Sequence, residues 1–237
     1  MKVSEKNGLE NVDVLAFQKA LHRRDFLRYT GYAGTAIAAG SLITLASCKD
    51  SDGNNDDDGV DFGTGDFAIL NYAYALEQLE AAFYTQVIAT PFAGMSGPEK
   101  SLLTDVRDHE VAHREFFKAA LGTKAIRGLE VDFSSINFNS RDSVLGIAKA
   151  FEDLGVSAYN GAGRYIASAD YLLLAGKIVS VEARHAAYIR DLLQFGSFAD
   201  SSVVNGQGLE MSRKPREVIG IASTYVKTKL NASTLPA

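Results

Sequence analysis

Glu110-Val111-Ala112-His113-Arg114-Glu115-Phe116 and Glu182-Ala183-Arg184-His185-Ala186-Ala187-Tyr188 are two copies of one pattern, each built on Glu-x-x-His. Each copy has a partner segment upstream. Leu76-Glu77-Gln78-Leu79-Glu80-Ala81-Ala82-Phe83-Tyr84 superposes on Phe151-Glu152-Asp153-Leu154-Gly155-Val156-Ser157-Ala158-Tyr159, Glu on Glu and Tyr on Tyr seven residues later. The chain thus repeats one unit: a Glu-x6-Tyr segment followed by a Glu-x-x-His segment.

All four segments have helical periodicity, in which residues three or four apart share a face. The apolar stripes run Leu70, Tyr74, Glu77, Tyr84, Ile88; Leu103, Val106, Glu110, His113, Phe117, Leu121; Leu145, Ala148, Glu152, Tyr159, Ile166; and Leu174, Ile178, Glu182, His185, Ile189, Leu192. The spacing predicts helices over 66–89, 98–121, 141–167 and 170–194. Residues 90–98, with two prolines and two glycines, break the first pair. Only Ser168-Ala169-Asp170 separates the second pair, so each repeat folds as a helical hairpin. Residues 122–140 join the halves. Nineteen extended residues reach about 60 Å and a 20-residue helix is about 30 Å long, so one long crossover between helices two and three fits. The fold expected is all-α, a four-helix bundle over 66–195. A loop and a short helix starting near Pro215, within 196–237, should pack on it.

Each helix carries an ionisable group in the middle of its core-facing stripe. Four carboxylates and two imidazoles would then meet at one level, and burying uncompensated charge costs several kcal/mol. Two divalent cations cancel four carboxylates. Carboxylate with imidazole suits Fe or Mn, and zinc is compatible. A Glu from each of two helices with Glu-x-x-His from the other two is the ligand rule of ferritin-like di-iron and di-manganese proteins. One Glu-x-x-His is common by chance; two at equivalent places in a repeat, each paired with Glu-x6-Tyr, are not. On these residues the chain resembles the ferritin-like superfamily from Asp66 to Phe195, and among its members the exported domains related to desiccation-associated proteins. The resemblance implies Glu77, Glu110, His113, Glu152, Glu182 and His185 as metal ligands.

Several neighbouring residues compete for roles. Glu80 lies three residues from Glu77, but the repeat favours Glu77, since Gly155 stands opposite Glu80. Tyr84 and Tyr159 read equally as hydrogen-bond donors to the ligands, as redox-active groups, or as core aromatics with satisfied hydroxyls. His109 reads as a surface histidine or one lying just outside the ligands. Asp108 and Arg184 suit ligand orientation or exposed ion pairs.

The first fifty residues read as an address. Basic residues are frequent over 1–28, and 29–47 hold no charge. Arg23-Arg24-Asp25-Phe26-Leu27-Arg28 resembles a twin-arginine export motif, and Leu45-Ala46-Ser47-Cys48 a bacterial lipobox. The competing reading is a transmembrane helix, which nineteen uncharged residues would just supply. On the export reading 1–47 is removed, Cys48 carries lipid, and the Asp-rich segment over 48–65 is a flexible tether. Partners would be the twin-arginine machinery and the membrane, in the bacterial envelope on its periplasmic or outer side. Assembly with further copies is compatible with the bundle.

Composition removes other classes. The chain has 237 residues, 46% hydrophobic, enough for a sizeable core. Its net charge of -5 and lack of a basic stripe argue against nucleic-acid binding. With Cys48 alone there is no intrachain disulfide, cysteine zinc site or iron–sulfur cluster. The resemblance implies ferroxidase, peroxidase or catalase chemistry linked to stress protection. The alternative is a non-enzymatic lipoprotein scaffold with a structural or empty site.

Overall fold

A computed structural model describes residues 58–237. The export motif, the lipobox with Cys48, and tether residues 48–57 lie outside the described residues. No helix among the described residues is long and apolar enough to cross a membrane.

The four long helices are α1 (Gly65–Ala89), α2 (Gly97–Leu121), α3 (Arg141–Ala162) and α4 (Ala169–Leu193). Their starts follow from local chemistry. Ser96 caps α2 in a reciprocal pair with Glu99, and Pro98 sits in the first turn, where its missing N–H costs nothing. Ser140 and Ser168 cap α3 and α4 by accepting from backbone N–H groups three residues on. Gly122 ends α2 at φ 54°, a conformation a side chain resists.

α3 stops earlier than the pattern predicts, passing at Gly163 into a 3-10 turn, Gly163–Tyr165. Asp66, at the start of α1, accepts from the backbone N–H groups of Ala167 and Ser168 at 2.7 and 2.9 Å. Those bonds draw the chain out of the helix, and Gly161 and Gly163 weaken it there.

α1 packs chiefly on α2 and α3 chiefly on α4, so the two repeats are two hairpins. α1 is the central helix. Seventeen of its 25 residues are buried, against five of 25 in α2, so α1 has no solvent face to match a single stripe. The crossover covers one side of it. The buried Asn71 donates to the carbonyls of Phe62 and Lys124 and accepts from the N–H of Ile126, and Gln78 accepts from that of Leu129. Further along, Phe133 and Phe138 of the crossover join Phe83 and Phe151 in an aromatic cluster beside Tyr84.

The C-terminal region packs on the bundle. Arg213 donates from its backbone N–H to the Ser157 carbonyl and from its guanidinium to the Ser157 hydroxyl. The approach is so close that a Cβ on Gly161 would lie 1.7 Å from the Arg213 carbonyl oxygen. α5 (Pro215–Ala222) follows, packed on α3 and α1. The chain then returns to where the described residues begin: β2 (Leu230–Asn231) pairs in parallel with β1 (Val60–Asp61). Val60 and Phe62 are buried. The packed fold therefore includes residues that composition placed in the tether, because two hydrophobic side chains outweigh their Gly- and Asp-rich surroundings.

Candidate metal centre

The repeat and the helical spacing bring all six expected ligands to one place. Glu77 from α1, Glu110 from α2, Glu152 from α3 and Glu182 from α4 are each fully buried. Their ligand atoms and those of two histidines form two groups, each within 4.8 Å. One is Glu77, Glu110, His113 and Glu182; the other is Glu152, Glu110, Glu182 and His185. Glu110 and Glu182 belong to both, as a bridging pair would. Glu77 with His113, and Glu152 with His185, close the two ends.

The histidines face inward through Nδ1. His113 Nδ1 is 2.8 Å from Glu182 Oε1 and 3.5 Å from Glu77 Oε2; His185 Nδ1 is 2.9 Å from Glu110 Oε1 and 3.5 Å from Glu152 Oε2. These are ion-pair distances without hydrogen-bond alignment. Both Nδ1 atoms, both oxygens of Glu110 and Glu182, and Oε2 of Glu77 and Glu152 have no hydrogen-bond partner. Eight orphaned polar atoms converging on one interior point would be costly in any protein. Cations bound between them satisfy all eight, so the donor set fits a pair of divalent metal ions.

The electrostatics agree. Burial would lower the pKa of both histidines, but Glu110 and Glu182, joined by Glu77 for His113 and Glu152 for His185, outweigh it and push each up to about 12. Burial raises Glu110 well above the carboxylate range, with Glu182 adding to it, and lifts Glu152 to about 7 against the pull of His185. Burial opposes the charge on Glu182 too, yet His113 and His185 hold it down at about 2. Positive charge on the two imidazoles thus offsets the carboxylates in the absence of a cation.

Both tyrosine hydroxyls reach the carboxylates. Tyr84 donates to Glu152 Oε1 at 2.5 Å, and Tyr159 donates to Glu77 Oε1. The tyrosine of each hairpin thus orients the carboxylate of the other, a pairing that the sequence could not display because it aligns each tyrosine with its own helix. Burial, reinforced by Glu152 and Glu77 respectively, raises both phenols well above their ordinary value, so each keeps its proton to donate.

Glu80 is buried but belongs to neither ligand group. Its Oε1 lies 3.1 Å from where a Cβ on Gly155 would stand, so the glycine opposite it in the repeat is what makes room for it. Asp108 pairs with the neighbouring Arg107, and Arg184 bonds Ser180 on its own helix. Neither reaches the ligands. His109 does, through a hydrogen bond of 2.9 Å between its Nδ1 and Nε2 of His185. An apolar cleft walled by Leu70, Ala73, Leu76, Phe117 and Ala162 reaches Tyr159.

No curated protein matches this sequence. The family model of the ferritin-like domain, however, matches residues 65–195, more than half of the chain and the whole of the four-helix region that carries the six clustered Glu and His side chains, and the chain belongs to that family.

Proposed function

We propose that this protein carries a dinuclear Fe or Mn centre held by Glu77, Glu110, His113, Glu152, Glu182 and His185, with Zn as the closed-shell alternative. We further propose that the centre serves redox chemistry with peroxide or oxygen, or the handling of the metal itself, in protection against stress. The observation that carries this reading is the set of eight unpartnered buried atoms, divided into two overlapping four-ligand groups that share Glu110 and Glu182. An Fe or Mn pair supplies one-electron redox steps toward O2 or H2O2 that side chains alone lack.

The chain's own residues supply the rest. Glu110 and Glu182, common to both groups, would be shared by the two ions, and Tyr84 and Tyr159 hold the carboxylates of Glu152 and Glu77. The helices around the ligands keep bulk water from competing for them. The apolar cleft beside Tyr159 favours small uncharged reagents, because charged ones would lose hydration there without a partner. Export by the twin-arginine route, cleavage before Cys48 and lipid anchoring belong to the same proposal, supported by Arg23, Arg24 and the lipobox. That route carries folded proteins, which would let the metal be loaded before export.

The test is metal analysis of the protein recovered after export, coupled to assays of peroxide disproportionation and ferrous oxidation. About two ions per chain with turnover in either assay supports the proposal. One ion or none contradicts the dinuclear centre, and two ions without turnover assign it a structural role.

A further inference from the structure

The two halves of the centre follow from one repeated sequence, yet their histidines differ in what they meet on the side away from the carboxylates. His185 turns Nδ1 to the carboxylates and Nε2 outward, where it meets Nδ1 of His109 at 2.9 Å. The two rings lie within 8° of parallel with centroids 5.2 Å apart, which is the nitrogen–nitrogen distance plus one ring radius at each end. The bond therefore lies along the line of centroids, within both ring planes, where an imidazole N–H and a ring lone pair align best. The rings meet edge to edge, without face overlap. In the repeat, His109 precedes Glu110 as Val181 precedes Glu182. Valine offers no acceptor, so the counterpart of His109 cannot do for His113 what His109 does for His185.

We infer that His109 is a positioning residue that makes the two metal positions unequal, fixing His185 for the ion among Glu110, Glu152, Glu182 and His185 and leaving the ion among Glu77, Glu110, His113 and Glu182 without such support. When Nδ1 of His185 gives its lone pair to a cation, the ring's one proton sits on Nε2. His109 accepts that N–H bond, which locks the ring's rotation and increases its donor strength. Because α2 carries His109 and α4 carries His185, the same bond ties the two hairpins together next to the metal. Its effect is confined to one position.

The inference rests on the dinuclear reading, and its test separates the two. The metal-depleted full chain is titrated with Co(II), followed by visible absorption and calorimetry. The native chain is expected to take two ions in two resolved steps. His109→Leu should weaken one step about 10- to 100-fold and leave the other nearly unchanged. His109→Asn, whose Oδ1 occupies about the place of Nδ1, should recover most of the loss. Equal weakening of both steps, no weakening in the Leu variant, or an Asn variant no better than Leu overturns the inference while the dinuclear reading stands. A native chain that takes fewer than two ions overturns both.

Discussion

Loading the centre must expel protons, and the structure sets a minimum number. His113 and His185 are held at about 12, so at pH 7 each carries a proton on the nitrogens that face the carboxylates and the outside. A cation at Nδ1 requires that nitrogen unprotonated. Two ions therefore displace at least two protons, and more if Glu110 and Glu152, both raised, also give theirs up. Each proton released adds about 1.4 kcal/mol of binding free energy per pH unit, so two make the joint affinity rise about 100-fold per unit. The count is measurable by calorimetric titration with Mn(II) at pH 7 in two buffers of different ionisation enthalpy. Release of two or more protons per chain is expected, and release of none would mean that the imidazoles are neutral in the metal-depleted protein. The stability of the metal-depleted protein should follow the same groups. A histidine held at about 12 against about 6.5 unfolded stabilises fully below 6.5, and that contribution fades as pH rises toward 12. The metal-depleted protein should thus lose thermal stability between pH 7 and 10, while the loaded protein should not.

Three further outcomes are expected. Gly161→Ala forces a Cβ into the Arg213 carbonyl and should cost about 1–3 kcal/mol by overpacking, read as a lower midpoint in urea and as faster proteolysis within residues 196–214; an unchanged midpoint would deny the close approach. Tyr84→Phe and Tyr159→Phe each remove the donor to one terminal carboxylate and should lower affinity for one metal ion about 10-fold or more with the fold retained, checked by metal titration and circular dichroism. Cys48→Ala should abolish lipid attachment and cleavage, followed by mass spectrometry of the exported chain, and normal processing would refute the lipobox.

The bundle and the meeting of its six Glu and His side chains were legible because helical periodicity and a repeat constrain the same residues twice. A stripe that places Glu110 and His113 between Val106 and Phe117 has one face to bury, and the second copy leaves little freedom for where the two meet. What escaped the sequence was contact between distant segments. Tyr84 meets Glu152 and Tyr159 meets Glu77 across hairpins, a relation invisible while each repeat is aligned with itself. Asn71 looks like an ordinary helix residue until the crossover lays its backbone against it. Val60, Phe62 and the C-terminal β2 are too short for any periodicity to register, and they are held by pairing partners 170 residues apart. His109 left two readings open, since only the approach of α4 decides between solvent and His185.

The dinuclear centre is tested most plainly by anomalous X-ray scattering from crystals of the protein loaded with Mn or Fe. Two peaks per chain are expected, one enclosed by Glu77, Glu110, His113 and Glu182 and the other by Glu110, Glu152, Glu182 and His185. A single peak, peaks elsewhere in the bundle, or no peak in crystals grown with excess metal would contradict it.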